Sequence, residues 1–155
     1  NLNDLIRDVL GFVKVQKRFS QIAIGTEFQP DLPSLLLDAD EVSQLLLNLL
    51  YNAADAIAEA KREKGWIAIE TRLEEQTVLL QVADNGAGMS PEIRDKLFKV
   101  RFTSKDKGHG FGLTTCARVL ENHKAEIRIE SKLGEGSTFI FRFPISCPCA
   151  SDCSE

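Results

Sequence analysis

The chain has 155 residues, with 19 Lys+Arg against 23 Asp+Glu for a formal net charge of -4, and 43% of its residues are hydrophobic. That suffices for one globular domain with a real core. The mild acidity is spread along the chain, which excludes the electrostatic footprint of a nucleic-acid or acidic-membrane binder, and no stretch approaches the roughly 20 apolar residues of a membrane span.

The start, Asn1-Leu2-Asn3-Asp4, lacks the basic-then-apolar pattern of a secretion signal. The expectation is a cytoplasmic domain outside the membrane, cut from a longer protein that is itself free to be membrane-anchored. Leu2, Leu5, Ile6, Val9 and Val13 recur at helical spacing over Asn1–Lys14. Residues 1–18 therefore read as an amphipathic helix connecting the domain to an upstream region, and 19–145 as the domain proper. Ser20–Phe28, with Ile22 and Ile24 alternating, reads as a strand. Gln29-Pro30-Asp31-Leu32-Pro33 is loop, and Leu35-Leu36-Leu37 is a short buried run. Asp38 or Asp40 then caps a long helix to about Ala60, with Asp38 and Glu41 at capping-box spacing. Trp66–Leu73 and Thr77–Ala83, around Glu74-Glu75-Gln76, read as an antiparallel hairpin. Ser90 and Pro91 open a short helix to Phe98, Lys99–Gly112 is a glycine-bearing loop, and Leu113–Asn122 resumes helical spacing. Ala125–Glu130 and Ser137–Phe143, joined by Leu133-Gly134-Glu135-Gly136, form a second hairpin. The predicted fold class is α+β, a two-layer α/β sandwich in which a mixed, mostly antiparallel sheet is covered on one face by helices.

Of the four cysteines, Cys147, Cys149 and Cys153 lie beyond the last patterned segment, which excludes a disulfide framework through the core. Metal knuckles space paired cysteines by about two to four residues and need a fourth ligand, so 146–155 reads as a disordered tail. Cys116, on a predicted helix, reads as buried packing in a reducing compartment.

Three features point to chemistry. On the long helix, Gln44, Asn48, Asn52 and Asp55 fall on one stripe beside a broad apolar arc. A row of side-chain oxygens without positive charge is either a solvated face or a partial shell for Mg²⁺, which binds hard oxygens and keeps waters while phosphates supply the charge. Asp84-Asn85-Gly86-Ala87-Gly88-Met89 follows directly on a strand. A carboxylate there, beside two glycines that permit a tight turn and close approach, can accept a hydrogen bond from an exocyclic amine such as that of adenine. The run does not fit a calcium loop, because Gly86 stands at the third position and no bidentate Glu closes a twelve-residue loop. Gly108-His109-Gly110-Phe111-Gly112-Leu113 leads into a helix, and the N–H groups of such a loop suit an anion such as phosphate. It lacks both the Walker A spacing and the dinucleotide fingerprint.

The order of these features resembles the ATP-binding catalytic domain of sensor histidine kinases, in the superfamily that also holds gyrase, the ninety-kilodalton heat-shock chaperone and the MutL mismatch-repair protein. The resemblance runs from about Asn3 to Pro144. Asn48-Leu49-Leu50-Tyr51-Asn52-Ala53 looks like the family's N box, Asp84–Gly88 like its first glycine box, and Phe98–Phe102 with Thr103-Ser104-Lys105 like its F box. Gly108–Leu113 looks like the second glycine box and Gly134–Thr138 like the last. The resemblance implies a Bergerat-type fold, ATP and Mg²⁺ as cofactors, and catalytic roles for Asn52 as the Mg²⁺ ligand and Asn48 beside the phosphates. It implies that Asp84 accepts the adenine amino group, that Gly86 and Gly88 admit the base, and that Met89 lines the pocket. Thr103, Lys105, Gly108, His109, Gly110, Phe111, Gly112 and Leu113 would border the phosphates in a lid, and Thr138 would support Asp84 from the last strand. The implied partners are a helical dimerisation and histidine phosphotransfer domain, expected in the same polypeptide as a homodimer, and a response-regulator receiver domain. No nucleic acid is expected.

Asp55 stands where many histidine kinases carry a Lys, and Asp55-Ala56-Ile57 resembles instead the nitrogen-regulation and dicarboxylate-sensing subgroup. Arg101 stands where the F box often has an apolar residue. The ATPase branches place a Glu four residues before the metal Asn to activate water. Here that residue is Asn48, and an amide takes no proton at neutral pH. Slow hydrolysis and phosphoryl transfer to an acceptor outside the chain are therefore expected. His109 reads as a lid residue or a solvated one, and His123 as structural. A protein Ser kinase of the anti-sigma or mitochondrial type shares these boxes, and a degenerate nucleotide-sensing module is the non-enzymatic alternative.

Overall fold

The computed structural model describes residues 2–33, 35, 37–61, 63–88 and 118–145. Their elements are α1 (Leu2–Lys14), a single 3-10 turn (Lys17–Phe19), β1 (Ile22–Phe28), α2 (Ala39–Ala60), β2 (Gly65–Glu74), β3 (Thr77–Asp84), β4 (Glu126–Lys132) and β5 (Gly136–Pro144). Residues 118–123 are also helical. The sheet order is β1-β2-β3-β5-β4. β1 and β2 are parallel, as strands joined by a helical crossover must be. The remaining neighbours are antiparallel. This is the expected mixed, mostly antiparallel sheet.

Strand alternation decides which face is covered. Along β2, Ile67, Ile69 and Thr71 are buried, while the alternate residues Trp66, Ala68 and Arg72 are exposed and Glu70 is half-buried. Val78, Leu80 and Val82 of β3 and Phe141 and Phe143 of β5 extend the buried face. Against it lie Val42, Leu45, Leu46, Leu49, Leu50, Ala53 and Ile57, the apolar arc of α2. The layered sandwich with helices over one face is thus the observed architecture.

α2 starts where the capping signal puts it. Asp38 is the N-cap and its Oδ1 accepts the Glu41 N–H at 3.1 Å. The other half of the capping box is not made within the helix. The Glu41 carboxylate instead accepts both contacts from Asn122 Nδ2, at 2.9 and 3.0 Å. The Asp38 N–H donates to His123 Nε2 at 2.9 Å. That places the ring proton on Nδ1, which lies 2.9 Å from the Val119 carbonyl and donates to it. His123 is therefore a neutral structural bridge between the 118–123 helix and the start of α2, with its ring edge-on to Phe143.

α1 is more than the connector expected from its sequence. Leu2, Ile6, Val9, Leu10 and Val13 are buried in the same apolar cluster as α2 and the sheet. Its first turn is tied down by a buried Asn3, whose Nδ2 donates to the Gln29 carbonyl and whose Oδ1 accepts from Thr71 Oγ1 at 2.8 Å. Leu35 and Leu37 are partly buried but take no regular structure. The predicted Pro91–Phe98 helix, the Lys99–Gly112 loop, Cys116 and the 146–155 tail lie outside the described residues, and the Leu113–Asn122 helix is described only from 118.

Candidate functional site: a buried carboxylate at the end of β3

Asp84 is the last residue of β3 and is 6% exposed. It sits on the helix-facing side of the sheet because it continues the buried series Val78, Leu80, Val82. Its Oδ1 accepts the Gly86 N–H at 2.8 Å. Burial pushes the Asp84 carboxyl above its usual range, and backbone N–H bonds from Gly86 and Ser137 oppose that shift. The result is a desolvated acceptor oriented by backbone donors, suited to a neutral donor such as an amine on a base.

The loop after Asp84 is wedged between α2 and the β4–β5 hairpin. The Ala87 N–H donates to the Ala56 carbonyl of α2 at 3.0 Å, and the Gly134 N–H donates to the Ala87 carbonyl at 2.6 Å. A Cβ on Gly86 would lie 2.6 Å from Ala56 atoms. A Cβ on Gly88, whose φ is 71°, would meet the Lys132 carbonyl oxygen. Both glycines are thus required by close backbone packing, in addition to any room they leave for a ligand.

Ala56 also locates the amide stripe. Asn52 and Asn48 lie one and two turns before it on the same side of α2, roughly 6 and 12 Å along the axis. Asn52 is exposed and Asn48 half-buried. Asn48 Nδ2 is sealed from solvent with no hydrogen-bond partner among the described residues. A buried amide donor left open is costly, and an incoming acceptor oxygen relieves it. Gln44 and Asp55, at the ends of the stripe, are exposed. Among the described residues no group of three or more His, Cys, Asp or Glu could hold a metal ion. The Asn52 amide oxygen is a hard donor of the kind Mg²⁺ accepts, with water and a ligand's own phosphates able to complete its shell.

Ser137, not Thr138, stands opposite Asp84 in the β3–β5 ladder. Thr138 pairs with Ala83 and, on the other side, with Glu130. Alternation sets it on the open face of the sheet, away from the Asp84 carboxylate. Ser137 in turn pairs with Ser131, their hydroxyls 2.8 Å apart. Asp84, Ser137 and Ser131 form a polar row across three strands that the sequence does not reveal, because it depends on the pairing register. Met89, Thr103, Lys105, Gly108, His109, Gly110, Phe111, Gly112 and Leu113, with Phe98, Arg101 and Phe102, lie outside the described residues.

Residues 37–146 match the family of histidine kinase-, DNA gyrase B- and HSP90-like ATPases, and the chain belongs to that family. Within it, the chain is an ATP-binding catalytic domain of the sensor histidine kinase type. It is 32% identical to the sensory histidine kinase/phosphatase NtrB of Vibrio alginolyticus, over 94% of this chain and 43% of that protein. It is equally 32% identical to the sensor histidine kinase ZraS of Escherichia coli K12, over 94% of this chain and 30% of that one. The chain thus spans less than half the length of these relatives. Its fold matches the nucleotide-free catalytic domain of the histidine kinase ThkA with a TM-score of 0.76 at 28% identity, covering 93% and 92% of the two chains.

Proposed function

We propose that this chain binds Mg-ATP and transfers the γ-phosphoryl group to a histidine on a separate helical dimerisation and phosphotransfer domain, as the catalytic part of a two-component sensor kinase. A receiver domain of a response regulator is the onward acceptor; a ThkA structure in complex with the response regulator TrrA, 25% identical to this chain with a TM-score of 0.74, supports that placement. The similarity to NtrB and the Asp55-Ala56-Ile57 run favour the nitrogen-regulation subgroup. No described helix is long and apolar enough to cross a membrane, and ATP as the donor favours a cytoplasmic site.

The observation that carries the reading is the buried Asp84 carboxylate, whose loop meets α2 at Ala56, the same helix that carries the open Asn48 donor two turns earlier. Asp84 accepts the adenine amino group, and its oriented, desolvated oxygen makes that bond worth more than it would be in water. The amide stripe runs from the base end along α2, where Asn48 Nδ2 would donate to a phosphate oxygen and Asn52 Oδ1 would hold the Mg²⁺. That ion supplies charge neutralisation on the phosphates. Asn48 provides no general base, so bound water is not activated and the triphosphate is kept for transfer. The chain's own contribution is positioning, the principal demand of phosphoryl transfer.

Calorimetry with Mg-ATP tests the reading: wild type binds and Asp84→Ala does not. Mixing wild type with a histidine-bearing helical domain should give acid-labile, alkali-stable phosphate on that domain. Undiminished ATP binding by the Asp84→Ala variant, or acid-stable phosphate on a serine acceptor, would overturn it.

A further inference from the structure

We infer that Asn85 is a positioning residue for base recognition: its side chain sets where the chain leaves β3 and thereby aims the Asp84 carboxylate. The inference rests on the nucleotide reading above. The β2–β3 ladder ends at the Ile67–Asp84 pair. The next pair would be Trp66 with Asn85, and there the regular pattern changes. The Asn85 N–H still donates to the Trp66 carbonyl, at a long 3.4 Å. The Trp66 N–H, however, is taken by Asn85 Oδ1 at 2.8 Å, and Asn85 Nδ2 donates to the Lys64 carbonyl at 3.0 Å. One side chain thus fills a donor and an acceptor of the β2 start that a continuing strand would have had to satisfy.

That substitution frees the main chain to turn. Immediately after Asn85 it leaves the sheet, so that the Gly86 N–H reaches Asp84 Oδ1 and the Ala87 N–H reaches α2. The start of β2 is held from the other side as well, because a Cβ on Gly65 would strike the Ile57 side chain of α2. Asn85 therefore sits where the start of β2, the end of α2 and the Asp84 loop meet, and it is the one side chain of the loop that bonds to β2 among the described residues. Both of its functions need an amide. Asp at this position keeps the acceptor for Trp66, loses the donor to Lys64 and sets a second charge beside Asp84; Ala loses both bonds.

A positioning role predicts an effect confined to the exocyclic amine that Asp84 reads. Mg-ATP and Mg-ITP differ there, since inosine carries an oxygen in place of the adenine amino group. Their dissociation constants are measured by calorimetry for wild type, Asn85→Ala and Asn85→Asp, each well below its own unfolding temperature. Wild type should prefer ATP. In Asn85→Ala, ATP affinity should fall about tenfold, as for loss of one well-aligned hydrogen bond, with ITP affinity unchanged. Asn85→Asp, isosteric with the native residue and so the safeguard against misfolding, should also lose ATP preference while leaving ITP binding within about twofold. Equal losses for both nucleotides would show a merely structural residue and overturn the proposal, as would an intact ATP:ITP ratio in the variants. A wild type that binds both equally would instead sink the base-recognition reading on which the proposal stands.

Discussion

The Asp84 carboxylate is held in a place that penalises its charge. Burial is the largest influence on it and raises its pKa above the ordinary 3.8, while the Gly86 and Ser137 N–H groups compensate in part. For a carboxyl with a raised folded-state pKa, the native form binds the proton more tightly than the unfolded chain does. Its favourable contribution is therefore fully present below pH 3.8 and is lost as pH rises through the folded pKa. Asp84→Asn removes the charge and keeps an oxygen for Gly86. Relative to that variant, wild type should lose stability as pH rises above about 4, and the difference should vanish below it. Urea unfolding of both proteins at acid and neutral pH checks this; a gap that widens toward acid would contradict the burial argument. That Asp84 ends a strand and opens a tight turn was legible in the sequence, because an alternating run passes directly into Asp-x-Gly-x-Gly. The parts of Ser137 and Asn85 were not, because each depends on which residue faces Asp84 or Trp66 across the sheet, and register is a tertiary property.

At the scale of elements, α2 was read nearly to the residue: its apolar arc, its Asp38 cap and its end at Ala60 are all local signals. What local signals could not show is where the second half of the capping box goes. Glu41 is spent on Asn122, with Arg118 a distant 4.0 Å away, so the N-terminus of α2 is a joint between two helices far apart in sequence. The sheet was legible as two hairpins and a leading strand. Its order was not, since inserting β5 between β3 and β4 leaves every strand's own alternation unchanged. The joint yields a prediction with a ranking. Asp38→Ala removes the cap and should lower unfolding free energy by about 1 kcal/mol. Glu41→Gln retains an acceptor for Asn122 and weakens only a long, solvent-accessible charge contact, so its cost should stay below about 0.5 kcal/mol. Denaturant titration of the two variants ranks them; a larger loss for Glu41→Gln would mean that the inter-helix contact, not the cap, fixes the start of α2.

At the scale of the molecule, the sequence reads α1 as a connecting helix, but the same pattern fits a structural member of the domain. Helical spacing of Leu2, Ile6, Val9 and Val13 is the same for both, because periodicity says that a face is buried and not by what. The packing decides between them for the fold: Ile6 and Val13 are fully enclosed with Leu46, Leu50 and the sheet. A helix so placed should unfold with the sheet in one transition, not before it. Trp66, the single tryptophan, is 44% exposed on the open face of β2 and reports the sheet, whereas far-UV circular dichroism weights the helices. The two probes should trace coincident urea curves. Ile6→Ala removes a wholly buried side chain and should lower stability by about 2–5 kcal/mol, moving the Trp66 midpoint and the dichroism midpoint together. If Ile6→Ala shifts the dichroism alone and leaves the Trp66 transition in place, α1 is a separable connector and the sheet with α2 is the cooperative unit. That outcome would also relocate the source of stability for Asp84, since the end of β3 would then be held by α2 and the β4–β5 hairpin without help from the first helix.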